Sequence, residues 1–119
     1  MTDNESVEFL RNEIKRRFAK SFLDVLILQL VEAESTWGYD IIKKTEASYE
    51  VKLRHGALYP MLNALEKNGY VASRRQLEKG RQRKIYEITA KGRKLLQFYI
   101  EFLSEQISQG NQQTMERTP

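Results

Sequence analysis

Arg74, Arg75, Lys79, Arg81, Arg83 and Lys84 crowd into residues 74–84, with Glu78 the one carboxylate among them. So much like charge on one short stretch repels itself, which a purely structural role explains poorly. A phosphate backbone explains it well, because each cation that meets a phosphate releases a condensed counterion. Immediately upstream, Leu58, Met61, Leu62 and Leu65 follow the i, i+3, i+4, i+7 spacing of a helix with one buried face. The opposite direction of that helix carries Gly56, Pro60, Asn63 and Lys67, with Tyr59 on the flank and nothing large and apolar. A helix of this kind laid in a major groove reads base edges. Asn63 can bond adenine through both amide atoms, and Tyr59 can reach a phosphate or a thymine methyl. His55, just before the helix, can donate to a phosphate or serve as a local cap.

Other chemistries lack their parts. The 119 residues include no cysteine and a single histidine, so thiolate zinc sites, disulfides, cysteine nucleophiles and a Ser-His-Asp triad have nothing to be built from. Catalytic residues, a cofactor and a metal are not expected. The formal charge of +4 conceals an asymmetry: residues 52–93 carry 11 Lys/Arg against 3 Asp/Glu, a local +8, while residues 1–51 carry 7 against 10. No run approaches the roughly 20 apolar residues of a membrane span, and acids precede any apolar run at the N-terminus. The expected compartment is the cytoplasm, on the nucleoid when bound to DNA.

The elements that must position these side chains follow from periodicity. Val7, Leu10, Ile14 and Phe18 recur at helical spacing over residues 5–18. Ser21 and Asp24 have capping-box spacing ahead of an apolar run, Phe22 to Val31, expected to be a central buried helix. A third helix starts near Gly38 and gives out around Thr45, and a fourth covers 56–68, with Pro60 in its first turn and Gly69 at its left-handed end. Residues 70–75 and 84–88 have strand composition around a turn at 77–82, which makes a hairpin. Thr89 can cap a last helix. The expected class is mostly α with a small β-hairpin, a winged helix-turn-helix flanked by N- and C-terminal dimerisation helices.

The segments Gly38-Tyr39-Asp40-Ile41-Ile42-Lys43, Gly56-Ala57-Leu58-Tyr59-Pro60-Met61-Leu62, Leu65-Glu66-Lys67-Asn68-Gly69-Tyr70-Val71 and Gly80 to Gly92, taken together in this order, resemble the PadR family of transcriptional regulators. The resemblance spans roughly residues 22–96, with the single C-terminal helix of the shorter members. It implies a homodimeric repressor on a palindromic operator, with Tyr59, Asn63, Lys67, Arg81, Arg83 and Lys84 facing double-stranded DNA. It also implies that some members release DNA on binding small aromatic effectors.

The last helix is apolar on more than one face, which a domain this small cannot cover alone. Leu95, Tyr99, Phe102 and Leu103 are therefore expected in a dimer contact, together with Val7, Leu10, Ile14 and Phe18. The expected division is 1–20 for the N-terminal contact helix, 21–89 for the winged domain, 90–108 for the dimerisation helix and 109–119 for a flexible tail. Trp37 has two readings, part of an aromatic effector pocket or an anchor for a helix start. The hairpin has a rival reading too: a protein-interaction module would set it against an acidic partner, without a dimer or any preferred duplex sequence.

Overall fold

The apolar run after Phe22 folds as a helix buried on most sides, as such a composition requires. The computed structural model describes residues 3–49 and 55–116, without the side chains of 3, 49, 55 and 110–116. Along the described chain run α1 (Asp3–Ser21), α2 (Leu23–Ala33), β1 (Thr36–Trp37), α3 (Gly38–Tyr49), α4 (His55–Lys67), β2 (Val71–Glu78), β3 (Arg81–Ile88) and α5 (Ala90–Glu116). Ile27 and Leu28 of α2, Ile41 of α3, and Leu58 and Leu62 of α4 meet in a core with no solvent exposure. Val71, Tyr86 and Ile88 of the sheet and Leu96 of α5 close it. None of the helices among the described residues is long and apolar enough to cross a membrane.

Several boundaries differ from those read in the sequence. Ser21 does not cap α2: it ends α1, and Phe22 occupies the N-cap without a side-chain bond. The Phe18 and Phe22 rings pack 5.0 Å apart, and Phe22 N–H still donates to the Phe18 carbonyl at 2.9 Å, so the chain barely breaks there. The Asp24 carboxylate is occupied elsewhere, accepting the Tyr99 hydroxyl at 2.9 Å. That bond and partial burial push the Tyr99 phenol up, so the contact persists at neutral pH and is lost only as pH rises through the raised value. Thr45, expected near the end of α3, is fully buried and donates to the Ile41 carbonyl at 2.8 Å, so the helix continues past it to Tyr49.

The sheet has the order β1-β3-β2, all antiparallel. β1 was not legible, because two residues carry no periodicity; Thr36 pairs with Tyr86 and Trp37 with Ile85. The hairpin is longer than expected, with strand pairing from Val71↔Ile88 out to Glu78↔Arg81. Its turn is only Lys79-Gly80, whose φ values of 49° and 79° suit a two-residue connection matched to strand twist.

Two corners lock the hairpin to the helices. Gly69 takes the left-handed C′ position of α4: its N–H bonds the Glu66 carbonyl, and Tyr70 N–H bonds that of Leu65 at 2.8 Å. Thr89 caps α5 through Gly92 N–H at 3.0 Å, and its hydroxyl also reaches the Gly69 and Tyr70 carbonyls.

Beyond this core the chain is elongated. Its radius of gyration is 17.8 Å, against about 13–14 Å for a compact domain of this length. Leu95 and Tyr99 are half-buried and pack against this chain's own core, where their turn of α5 lies over α2. Leu103 is half-buried. The apolar side chains left outward are Val7, Phe9, Leu10, Ile14 and Phe18 on α1, and Phe98, Ile100, Phe102 and Ile107 on α5. Phe98 and Phe102 stack with centroids 6.0 Å apart. α5 also runs through the boundary read at 108, to Glu116, since no proline interrupts it.

Candidate nucleic-acid interface

Burial of Leu58, Leu62 and Leu65 sets the roll of α4 and turns Gly56, Tyr59, Pro60, Asn63 and Lys67 outward. Tyr59 lies across Gly38, where an added Cβ would stand 3.0 Å from its ring, so the start of α3 can approach only without a side chain. Trp37, just before Gly38, is half-buried, which meets the anchoring reading, yet its ring also forms part of the site.

The hairpin register sorts the cations that the sequence placed together. Arg75 and Lys84 face each other across the strands, on the side that continues from Ser73 and Tyr86 toward α4. Arg74, Arg81 and Arg83 fall on the other side, Lys79 stands at the turn, and all of these but the half-buried Arg83 are exposed. β1 covers β3 only at Ile85 and Tyr86, so the edge at residues 81–84 stays open. Along it runs a cleft of about 540 Å³ between α3, α4 and β3. Tyr59, Asn63, Arg81, Arg83 and Lys84, all singled out from the sequence, line it together with Trp37, Tyr39 and Tyr86.

Two of the cations are already engaged. The Arg83 guanidinium lies 3.4 Å from the Trp37 ring centroid, a stacking that fixes its plane and leaves its N–H edge available. Lys84 donates to Glu66 Oε1 at 3.0 Å, and Glu66 Oε2 accepts the Ser73 hydroxyl. The Ser73 and Lys84 hydrogen bonds hold the Glu66 carboxyl below its ordinary range, and the bond to Glu66 raises Lys84. The lowered acid favours this contact above the usual glutamate range, and the raised base favours it below the usual lysine range. It is therefore at full strength across neutral pH.

Lys67 is exposed in the last turn of α4, away from the cleft lining, and Arg74 and Arg75 stand on the outer strand. His55 opens α4, but its side chain lies outside the described residues. Sequence reasoning missed Tyr39 and Tyr86 as lining, Lys43, whose ammonium sits 4.7 Å over the Tyr39 ring, and Glu66 as a partner. The pair Tyr39/Lys43 has helical i, i+4 spacing that could have flagged it. Among the described residues, no group of three or more His, Asp or Glu side chains is placed to hold a metal ion.

The site is thus an open groove with an amide and a phenol on the α4 face, further phenols on α3 and β3, and a flanking cationic hairpin. Residues 27–98 match the model of the transcriptional regulator PadR-like family. A PadR-like transcription factor from Bacteroides fragilis is similar at 26% identity and a TM-score of 0.71, over 84% of this chain and 97% of that one. The smu.1704 protein of Streptococcus mutans is 30% identical with a TM-score of 0.66, over 81% and 89% of the two chains. A PadR-like regulator from Bacillus cereus, at 23% identity and a TM-score of 0.72 over 82% and 96%, shares the fold. No curated protein matches the sequence. With a family match from within α2 through the sheet into α5, over more than half of its length and including every cleft-lining residue, the chain belongs to the PadR-like family of DNA-binding transcriptional regulators.

Proposed function

We propose that this regulator binds a palindromic operator as a homodimer and represses transcription by occupying it. α4 enters the major groove while the hairpin follows the phosphate backbone toward the adjacent minor groove. The observation that carries this reading is the convergence of Tyr59 and Asn63 with Arg81 and Arg83 on one open cleft, the pairing of base-reading and phosphate-neutralising groups that sequence-specific binding needs. Asn63→Ala is expected to relax preference at one defined base pair per half-site, losing about 1–3 kcal/mol of discrimination there. Competition binding against single-base operator variants measures it. Equal losses on operator and random duplex would remove Asn63 from base readout.

The dimer is supported by the outward apolar strips on α1 and α5 and by the elongated shape, because a monomer would leave both strips in water. Sedimentation at micromolar concentration is expected to give a dimer, and Ile14→Glu with Phe102→Glu a folded monomer. A wild-type monomer would contradict the arrangement. Release by a small aromatic effector completes the reading. The Trp37, Tyr39, Tyr59 and Tyr86 rings around the cleft support it, and a ligand stacked there would compete with DNA directly.

A further inference from the structure

Glu66 is one of only three carboxylates in the basic stretch 52–93, and the DNA-facing side chains do not account for it. It stands near the end of α4 and holds both strands of the hairpin at once, Ser73 of β2 on one oxygen and Lys84 of β3 on the other. We propose that Glu66 is a positioning residue of the DNA interface: it fixes the angle between α4 and the wing, and it withholds Lys84 from phosphate until DNA competes for that ammonium. The proposal rests on the DNA-binding reading above.

Three features carry it. The first is leverage. Beyond the Ser73–Tyr86 pair, Arg74 to Leu77 and Lys79 to Gln82 are exposed, so the outer hairpin projects from the body. From Lys84 to the turn the strand extends about 13 Å at 3.3 Å per residue. A tilt of about 10° at the clamp then moves the tip by about 2 Å, enough to break a hydrogen bond to phosphate.

The second feature is the cross-strand pairing. Lys84 stands directly opposite Arg75, a like-charge pair that destabilises an antiparallel ladder unless an anion lies beside it. Glu66 is that anion. The third is competition: Lys84 lines the DNA-facing cleft, yet its charge is committed within the chain at neutral pH. Arg83, by contrast, rests on a neutral ring and loses none of its charge to a partner there.

The test compares full-length wild type with Glu66→Gln, which keeps the side-chain shape and an acceptor for Ser73 but removes the charge. Binding is measured to a random-sequence duplex and to the duplex enriched by selection from a random pool, each across a salt series. On random duplex, E66Q is expected to bind about 5-fold more tightly at 0.15 M salt, with a salt slope steeper by about 0.9, one extra phosphate neutralised. Lys84→Gln in the E66Q background takes that added slope back. On the enriched duplex the misplaced wing cancels that gain, so the specificity ratio falls by about 5-fold, and amide hydrogen exchange over residues 74–84 of the free protein accelerates about 10-fold. A specificity ratio within twofold of wild type, or unchanged exchange in the hairpin, overturns the proposal. Wild type showing no preference among duplexes would instead sink the DNA reading, and the exchange measurement would still decide whether Glu66 holds the wing.

Discussion

Replacing Gly92 with alanine is expected to cost about 3–5 kcal/mol of stability, because its added methyl is the most crowded among the described glycines. A Cβ at Gly92 would lie 2.1 Å from the Tyr70 carbonyl oxygen and 2.8 Å from Ile88 Cγ1. The first neighbour is backbone and cannot rotate away. That carbonyl also accepts the Thr89 N–H at 3.2 Å and the Thr89 hydroxyl at 3.0 Å, so moving it loosens the α5 cap and the α4–β2 corner together. Overpacking costs about 1–3 kcal/mol, and each net hydrogen bond lost adds about 1 kcal/mol. Gly69→Ala makes the control. Its φ of +79° is strained for alanine, but the added methyl would meet only the flexible Lys91 side chain at 3.7 Å, so about 1–2 kcal/mol is expected. Urea denaturation of the three proteins measures both; a Gly92→Ala loss below that of Gly69→Ala would show that the corner yields.

The second large effect is on binding. Arg81→Ala combined with Arg83→Ala is expected to weaken affinity for every duplex by about 30-fold at 0.15 M salt and to flatten the salt slope by about 1.8. Each phosphate contact contributes about 0.9 to the slope, which at this salt is about 5-fold in affinity. Both arginines lie on the open edge of β3 and line the cleft, and Arg83 is held ready by Trp37. Because phosphates carry no sequence information, operator and random duplex should lose alike. A loss confined to the operator would place these arginines on base edges instead.

What could be read from the sequence follows the range of the physics involved. The α2 run, the buried stripe of α4, Gly69 as its stop and Thr89 as a cap are local patterns, and they stand in the structure where the spacing put them. The cleft lining on α4 was legible for the same reason: Tyr59 and Asn63 are what remains of that helix once its apolar face is turned inward. Ser21 misled because capping-box spacing says nothing about whether the preceding helix stops, and here the Phe18–Phe22 contact carries it on.

Long-range pairings left no trace. Tyr99 and Asp24 are 75 residues apart, so nothing local showed that the Tyr99 hydroxyl reaches α2. Lys84 looked equivalent to Arg83 as a cation of the turn. Only strand register and the return of α4 beside β3 show one bound to a carboxylate and the other to an indole. The short strand β1 and the Lys79-Gly80 turn were hidden because two residues have no period and lysine is an unusual occupant of a left-handed position.

Sequence-specific binding by a symmetric dimer can be put to the test by selecting bound duplexes from a random pool with the full-length protein at about 0.15 M salt, close to physiological screening. The expected result is enrichment of a palindrome whose half-sites lie about one helical turn apart, the spacing that two α4 helices related by a two-fold axis would demand. Retention of duplex without an enriched sequence, or enrichment of a single unrepeated half-site, would contradict it.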